Sequence, residues 1–545
     1  ASSRFIPQMM SRLRSRLAFI QDVADRTRVE RHYRRAKPPI AYGAKQAILV
    51  EGLWDNPNHW LRLWIFLHAY LKDNRVDVIG VLRSRDNWDN WRKRKSLEAL
   101  GIRRFVYLDD IDNDDPNRAA AIKSILNGAS SAGEMLGLQL PDGLPAYVFF
   151  DSVLKIERHP QPKIEGNPAW HAALDELMRF QGRYADVFDR NDVVAVVSSH
   201  AWKSEWATLC WTALRRKVPF FYMTAHYDSI RVRRMNSVAD YLAPNEHLPY
   251  EEFKALPQPV QDSLIERGQA YLADRFSGNS DFIVLRYSVD VSQRTNDRSE
   301  TFARLGLPAD KPLAVIYAHS WFDFPHTQGM TNFTEPLDWI KFTIAAISPL
   351  TNVSWAVKPH PCDRWYGAVR MQDFVNELPP HVKIIPDDCD SLAVQQVADA
   401  LVTIQGSIAI EGAAMGKRVL CADRSMYTDW GFAHTARSRE DYADKLGHIL
   451  ELAMPTEEQS RHAMAYAALA LAPPPAEARW LRLSCDSRFL EGTLYPEVRD
   501  MLSDRTEAVE IEIEKMRQWF KAPFHSYNAW RTIDCFSPTG AALQQ

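Results

Sequence analysis

The chain has 545 residues, and its 66 Lys and Arg against 69 Asp and Glu leave a formal net charge of −3. This near balance excludes a protein that is cationic or anionic throughout. The composition, 46% hydrophobic and 25% charged, is typical of a globular protein, and the length predicts two or three domains. The six cysteines show no paired spacing, which argues against a disulfide scaffold or zinc cluster and favours a reducing cytoplasm.

The sequence contains no obvious membrane-spanning segment. Its most apolar helical stretch, Trp60 to Leu71, is too short to cross a bilayer and contains Arg62. A signal-peptide pattern is also absent, because basic and apolar residues are interleaved at the N-terminus. We therefore expect a cytoplasmic protein.

Residues 1–40 are predicted to form a basic amphipathic arm. Residues 1–37 have a charge of +7, so the remaining chain carries −10. Apolar residues recur in the arm at helical spacing: Ile6, Met9, Met10, Leu13, Leu17 and Ile20. Such a helix either contacts an anionic membrane peripherally, here at its inner face, or packs on its own domain, and both interpretations stay open. Nucleic-acid binding is not expected, since aromatic residues are sparse and no nucleic-acid motif follows.

After the Lys37-Pro38-Pro39 break, apolar strands and amphipathic helices alternate. The strands are predicted at Ala47 to Val50, Val76 to Leu82, Phe105 to Leu108, Tyr147 to Phe150, Val193 to Val197 and Phe220 to Met223. The helices are predicted at Asn58 to Lys72, Asn90 to Leu100, Ala169 to Phe188 and Glu205 to Arg215. This alternation indicates an N-terminal Rossmann-like domain over residues 41–243.

A helical connector is predicted over residues 244–280, and a second alternating series follows it. Its strands are Leu313 to Tyr317, Val353 to Val357, Val382 to Ile385, Ala400 to Thr403 and Val419 to Ala422. This pattern indicates a C-terminal Rossmann-like domain over residues 281–450, with a helical segment over residues 451–545. The expected fold class is α/β, with two doubly wound domains facing across a cleft. Ligands of such sheets bind outside the carboxyl ends of the strands.

The loop Lys358-Pro359-His360-Pro361 directly follows a predicted buried strand. Proline on both sides of His360 restricts the backbone, so the loop presents Lys358 and His360 at the strand end. These residue types contact a phosphate or protonate a departing phosphate oxygen. A strand-end histidine is commonly structural, but the flanking prolines favour a binding or catalytic role.

A second loop, Thr403 to Glu411, connects a predicted strand to a predicted helix. Gly406 permits close approach of a ligand, and Ser407 lies where the helix offers unpaired backbone N–H groups to a phosphate. The carboxylate of Glu411 could accept hydrogen bonds from ribose hydroxyls. The alternative is an ordinary serine cap followed by a first-turn acid.

The order of these motifs resembles the donor-nucleotide half of GT-B glycosyltransferases. Lys358-Pro359-His360-Pro361 is followed by Gln405-Gly406-Ser407 with Glu411, then by Gly416-Lys417-Arg418-Val419 and by Tyr427 before Gly431. More narrowly, the segment from Pro312 to Gly431 is similar to the capsule polysaccharide biosynthesis group, which includes bacterial Kdo transferases using a CMP-activated sugar. Related loops occur in bacterial sialyltransferases and teichoic-acid glycerophosphotransferases.

The resemblance implies roles for individual residues. It places His360 and Ser407 at the nucleotide phosphate and Glu411 at the ribose. It also implies a nucleotide-sugar donor, with a CMP-sugar favoured, and no required metal ion or other cofactor.

A third loop, Tyr317 to His326, is dense in aromatic and polar residues. Such a composition suits stacking on a base or a sugar, so His319 and Asp323 are further candidates for donor binding. The alternative is an aromatic loop packed at a domain interface. Metal ligation by His319, Asp323 and His326 agrees with the residue types, but the resemblance argues against a metal site.

In the N-terminal domain we expect the acceptor and a general base that removes the proton of its hydroxyl. The candidates follow three predicted strands: Asp228, Glu51 and His200. Asp228 and Arg231 match an acidic and a basic position of the capsule-type Kdo transferase pattern, whereas Tyr227 and Ser229 depart from it. A cap, a salt bridge or a structural histidine is the alternative for each candidate.

These observations predict a glycosyltransferase that moves a sugar, a CMP-linked 3-deoxy-ulosonate by preference, onto a hydroxyl of a bacterial capsule or surface glycan or glycolipid. Two alternatives stay open. One is a CDP-polyol phosphotransferase of the teichoic-acid type, and the other is a non-catalytic protein that binds a glycan or nucleotide on the same fold.

Overall fold

The structure is a computed structural model, and it describes residues 23–85, 87–110, 115–224, 229–277, 297–360, 370–375, 377–386, 389–472, 474 and 507–536. Two six-stranded sheets form its framework. Most of their strands are buried along nearly their whole length, because helices cover both faces of each sheet.

The first sheet has the strand order β3-β2-β1-β4-β5-β6. Its strands are β1 (Gln46–Glu51), β2 (Asp77–Leu82), β3 (Arg104–Tyr107), β4 (Asp192–Ser198), β5 (Phe220–Thr224) and β6 (Arg231–Met235). The strands pair in parallel except for β6, which lies antiparallel to β5 at the edge. The carboxyl ends of β1, β2, β4 and β5 therefore lie along one edge of the sheet.

The helices of the first domain lie between these strands. They are α1 (23–35), α2 (Pro57–Asp73), α3 (Trp88–Ala99), α4 (Pro116–Leu126), α5 (Ala132–Leu136), α6 (Tyr147–Glu157), α7 (Pro168–Arg190), α8 (Ser204–Arg215) and α9 (Val238–Leu242). Local sequence defines where α2 begins: the side chain of Asn56 accepts the N–H groups of Asn58 and His59, and Pro57 occupies the first turn.

The second sheet is parallel throughout, with the order β12-β11-β10-β7-β8-β9. Its strands are β7 (Leu313–Tyr317), β8 (Ser354–Lys358), β9 (Val382–Ile384), β10 (Ala400–Thr403), β11 (Arg418–Cys421) and β12 (His434–Thr435). Its helices are α12 (Arg298–Leu305), α13 (Pro336–Ile347), α14 (Ser391–Val397), α15 (Ile408–Ala414) and α16 (Arg439–Gly447). The predicted fold class, two Rossmann-like α/β domains, is confirmed.

Helices join the two domains and return the chain to the first one. They are α10 (Tyr250–Lys254), α11 (Gln258–Phe276), α17 (Glu457–Tyr466), α18 (Glu507–Lys521) and α19 (Tyr527–Asp534). Helices α11 and α17 cross in close contact, because a Cβ at Gly268 would overlap the carbonyl of Met464. Helix α18 packs on α2, and Arg517 forms an ion pair with Asp73 at 2.6 Å.

One prediction for the first domain is wrong, and one strand was not predicted. Tyr147 to Phe150 was expected to be a strand but opens helix α6, because the buried residues continue at helical spacing to Val153 and Leu154. Strand β6 was not expected, since three of its five residues are arginines. The side chain of Arg234 donates to carbonyls of Phe520, Ala522 and Phe524, partners that lie almost 300 residues away in the sequence.

The described part of the basic arm packs on its own domain. Helix α1 buries Arg26, which donates to Asp55 at 2.7 Å and to the carbonyl of Arg92 at 2.6 Å. The apolar residues from Ile6 to Ile20 lie outside the described residues. Among the helices that the structure describes, none has the length and apolar character needed to cross a bilayer.

Candidate active site

Three loops converge at the carboxyl edge of the second sheet, because β10, β7 and β8 are neighbours there. The backbone N–H of Ala318 donates to the carbonyl of Lys358 at 3.0 Å, which joins the ends of β7 and β8. Gln405 Nε2 donates to the carbonyl of Pro325 at 2.9 Å, which joins the loops after β10 and β7. The three loops predicted to bind the donor are therefore adjacent.

The imidazole rings of His319 and His360 lie together at this edge, with centroids 6.1 Å apart. Nδ1 of His319 is 2.9 Å from the carbonyl oxygen of Ser320, so Nδ1 carries the hydrogen and Nε2 is the accepting nitrogen. Burial lowers the pKa of His360 to about 3, and repulsion from His319 acts in the same direction. Burial also lowers the pKa of His319. Both rings are therefore neutral near pH 7.

Asp323 lies beside this pair and connects it to the other domain. Its carboxylate accepts a hydrogen bond at 2.7 Å from Lys155 of helix α6. Partial loss of water contact would raise the pKa of Asp323, but the ammonium of Lys155 outweighs that effect and the pKa is lowered. Asp323 is thus an anion that balances a cation of the first domain.

The side chain of His326 makes a second contact between the domains, in addition to the one between Lys155 and Asp323. Its Nδ1 is 2.6 Å from a carboxylate oxygen of Asp151 on α6, and its ring stacks on Tyr147 at 5.9 Å. In the part of the chain that the structure describes, no group of three or more His, Cys, Asp or Glu is arranged to hold a metal ion.

Lys358 and Glu411 have protein partners that sequence reasoning did not anticipate. Lys358 Nζ donates to the carbonyl of Cys389 at 3.0 Å, so it ties β8 to the loop after β9. The buried carboxylate of Glu411 forms an ion pair with Arg275 of α11 and accepts from Gln395 at 3.2 Å. Each oxygen of Glu411 thus has a protein partner, and the ribose role stays a prediction.

Gly406 and Ser407 occupy the predicted turn between β10 and α15. Thr403 Oγ1 accepts the N–H of Gly406 at 3.1 Å, and the hydroxyl of Tyr427 donates to the Gly406 carbonyl at 2.7 Å. Ser407 precedes α15 but its side chain does not cap the helix. The turn is held from both sides while Ser407 stays partly exposed.

In the first domain, Glu51 lies at the end of β1 and is fully buried. One carboxylate oxygen accepts the N–H groups of Leu53 and Trp54, at 2.5 and 2.8 Å. The other accepts the N–H and the hydroxyl of Ser199, at 2.9 and 2.6 Å. Burial alone would raise the pKa of Glu51, but His59 and the Ser199 hydrogen bonds lower it overall. Because its carboxylate already accepts these four hydrogen bonds, Glu51 is better suited to position other residues than to remove a proton itself.

The same serine leads from Glu51 to His200. Ser199 Oγ is 2.8 Å from Nδ1 of His200. Because the hydroxyl has one hydrogen and donates it to Glu51, Nδ1 of His200 must donate to the hydroxyl, which leaves Nε2 as the accepting nitrogen. His200 is partly exposed, and Trp54 and Trp206 flank its ring at 5.0 and 4.7 Å.

Helix α6 connects the two clusters. Ser152 Oγ accepts from Ser204 Oγ at 3.2 Å, close to the His200 loop, and Lys155 of the same helix reaches Asp323. Sequence reasoning missed Ser199 as a linking residue, as well as Asp151 and Lys155. A detectable signal existed for Ser199, since it directly precedes a candidate histidine at a strand end. Asp228 lies outside the described residues.

Comparisons with known proteins give similarity at the level of structure. No protein-family model and no curated protein sequence matches the chain. Among solved structures, the chain is similar to the β-Kdo 2,4-transferase KpsC of Thermosulfurimonas dismutans, at 14% identity over 52% of this chain and 85% of that one, with a TM-score of 0.32. A glycosyltransferase from Rickettsia africae matches at 10% identity over 85% and 100%, with a TM-score of 0.26.

A UDP-GlcNAc 2-epimerase from Neisseria meningitidis matches at 14% identity over 78% of this chain and 97% of that one, with a TM-score of 0.23. Since these TM-scores are below 0.5, the function has to be argued from the residues of the site.

Proposed function

We propose that the protein is a glycosyltransferase that moves a sugar from a nucleotide donor to a hydroxyl of a bacterial capsule or surface glycan. The donor is a CMP-linked 3-deoxy-ulosonate, and the acceptor is a glycan or glycolipid reached at the cytoplasmic face of the membrane. The observation that carries the proposal is the pair of strand-end clusters: neutral His319 and His360 on one domain, and the Glu51–Ser199–His200 chain on the other.

His360 responds to an arriving phosphate. Its pKa of about 3 reflects burial and the neighbouring His319, so it carries no charge before the donor binds. An anion within about 4–6 Å favours the protonated form of an imidazole. The donor phosphate therefore raises the pKa of His360 as it binds, and the ring stabilises the departing phosphate by donating a hydrogen bond from its N–H group. Ser407 and the Gly406 turn lie on the neighbouring loop and bind the same phosphate.

His200 acts as the general base through Nε2. The buried anion of Glu51 holds the Ser199 hydroxyl, and the hydroxyl fixes the tautomer of His200. As the acceptor hydroxyl loses its proton, the imidazolium that forms is stabilised by Glu51 through this chain. General base catalysis of this kind contributes roughly 10²–10⁴-fold in rate. Asp228 stays an alternative base.

Nucleotide binding tests the donor part of the proposal. At a nucleotide concentration about 100 times Kd, a ligand that binds the folded state adds about 2.7 kcal/mol of stability. We expect CMP to raise Tm, and CDP or UDP to do so less. If CMP, CDP and UDP all leave Tm unchanged, the donor site is wrong. Strong stabilisation by CDP together with transfer from CDP-glycerol identifies a polyol phosphotransferase instead.

A further inference from the structure

Two tryptophans are exposed at the start of helix α3. Trp88 and Trp91 have 56% and 45% of their surface accessible, whereas Trp60 and Trp64 of the neighbouring helix are almost fully buried. Their rings stack on each other, with centroids 4.7 Å apart and planes inclined by 16°. Exposed apolar patches of this kind mark contacts with another surface.

The position of the pair is built into the fold. Asn87 caps the helix by accepting the N–H of Asn90 at 2.8 Å, which fixes the first turn that carries both rings. Helix α3 follows β2, so this turn lies at the same edge of the first sheet as Glu51. The tryptophans are therefore presented on the side of the domain where the candidate base lies.

The surroundings of the pair are cationic. Helix α3 has four consecutive basic residues, 92–95, which form ion pairs with Asp55, Asp89 and Glu98 and outnumber them. The Lys95 ammonium lies 5.8 Å from the Trp91 ring centre. Helix α1 has five arginines against two acidic residues, and Arg28, Arg31, Arg34 and Arg35 are exposed. Buried Arg26 fixes α1 beside α3 through the carbonyl of Arg92 and Ser96 Oγ, at 2.6 and 2.8 Å.

We infer that Trp88, Trp91 and the basic residues of α1 and α3 form a surface that contacts an anionic lipid bilayer. Tryptophan rings favour the bilayer interface, and arginine and lysine complement anionic headgroups. A glycan is a poorer fit, because sugars stack on aromatic ring faces and each ring already has one face against its partner. If the proposed function is correct, this contact brings a lipid-linked acceptor to the edge that carries His200.

Vesicle co-sedimentation tests the inference without any donor or transfer assay, so it is independent of the proposed function. The full chain is mixed with vesicles of phosphatidylglycerol and phosphatidylcholine or of phosphatidylcholine alone. We expect binding to the anionic vesicles that weakens with added salt, and roughly tenfold weaker partitioning for Trp88→Ala/Trp91→Ala. Met454→Ala, which removes a 54% exposed apolar residue from the other domain, serves as the matched control and should bind as wild type.

Three other outcomes would overturn the inference. A wild type that does not sediment with anionic vesicles has no such surface. A double variant that sediments as well as wild type, with an unchanged far-UV spectrum and Tm, places the membrane contact elsewhere, for instance in residues 1–22. Loss of binding to a soluble acidic oligosaccharide in the double variant, with vesicle binding unchanged, makes the pair a glycan platform.

Discussion

The carboxyl edges of the two sheets have the same architecture but opposite electrostatics. In the first domain a buried carboxylate, Glu51, is fully hydrogen-bonded and leads through Ser199 to an imidazole. In the second domain two imidazoles, His319 and His360, are held neutral by burial beside each other. In the proposed mechanism the first cluster accepts a proton, whereas the second donates a hydrogen bond to an arriving anion. Each domain thus carries one step of the proposed transfer.

The largest effect is expected from the first domain. His200→Ala removes the accepting nitrogen, so kcat for transfer should fall by about 10³ while nucleotide affinity stays unchanged. Ser199→Ala keeps His200 but breaks its link to Glu51, so we expect a smaller loss, about tenfold, and a shifted pH–rate profile. Steady-state kinetics with a glycan acceptor measures both. Equal losses of kcat in the two variants would contradict a purely positioning role for Ser199.

His360→Ala should lower transfer by about 10²–10³, because it removes a donor aimed at the developing phosphate charge. Nucleotide affinity should fall as well, since the phosphate loses its partner. His448→Ala is the matched control, as this histidine is exposed and directly follows helix α16. Full activity of His360→Ala would remove the histidine from the mechanism.

The next prediction concerns Glu411 and asks whether it stabilises the second domain or binds the nucleotide. Glu411 and Arg275 form a buried ion pair, and removing one partner of such a pair costs about 3 kcal/mol or more. We therefore expect Glu411→Gln to lower Tm clearly, while the remaining folded protein binds nucleotide as wild type does. Thermal unfolding with and without CMP gives both quantities. An unchanged Tm with weakened CMP binding would support the ribose role.

Much of the framework could be predicted from the sequence, because buried parallel strands are apolar runs that alternate with amphipathic helices. The strand-end loops carrying Glu51, His200, His360 and Ser407 were identified for the same reason. Partners that lie far apart in the sequence could not be predicted. The ion pair of Glu411 with Arg275 and the hydrogen bond between Asp151 and His326 join residues more than 130 positions apart and depend on how the elements pack.

Acid should destabilise the protein through the second cluster. The unfolded chain binds a proton at His360 below about pH 6.5, whereas the folded protein does so near pH 3. Because the unfolded state binds more protons between these values, stability falls as pH decreases from 6.5 towards 3. His360→Gln should flatten this part of the Tm–pH curve. A curve identical to that of wild type would contradict the low pKa.

The smallest effect is expected at the contact between the clusters. Lys155 and Asp323 are 30% and 47% exposed, and ion pairs with this exposure contribute about 0–1 kcal/mol. Lys155→Met should therefore change Tm little, and its ionic-strength dependence should become weaker. A large drop in Tm would show that the two edges depend on each other for stability.

The central claim is that the second domain binds the donor and the first domain supplies the base. Calorimetric titration of CMP into wild type, His200→Ala and His360→Ala tests it. We expect His200→Ala to bind CMP with the Kd of wild type although it has lost transfer, and His360→Ala to bind CMP more weakly. The contrary result, loss of CMP binding in His200→Ala with wild-type affinity in His360→Ala, would place the donor on the first domain and reverse the roles of the two edges.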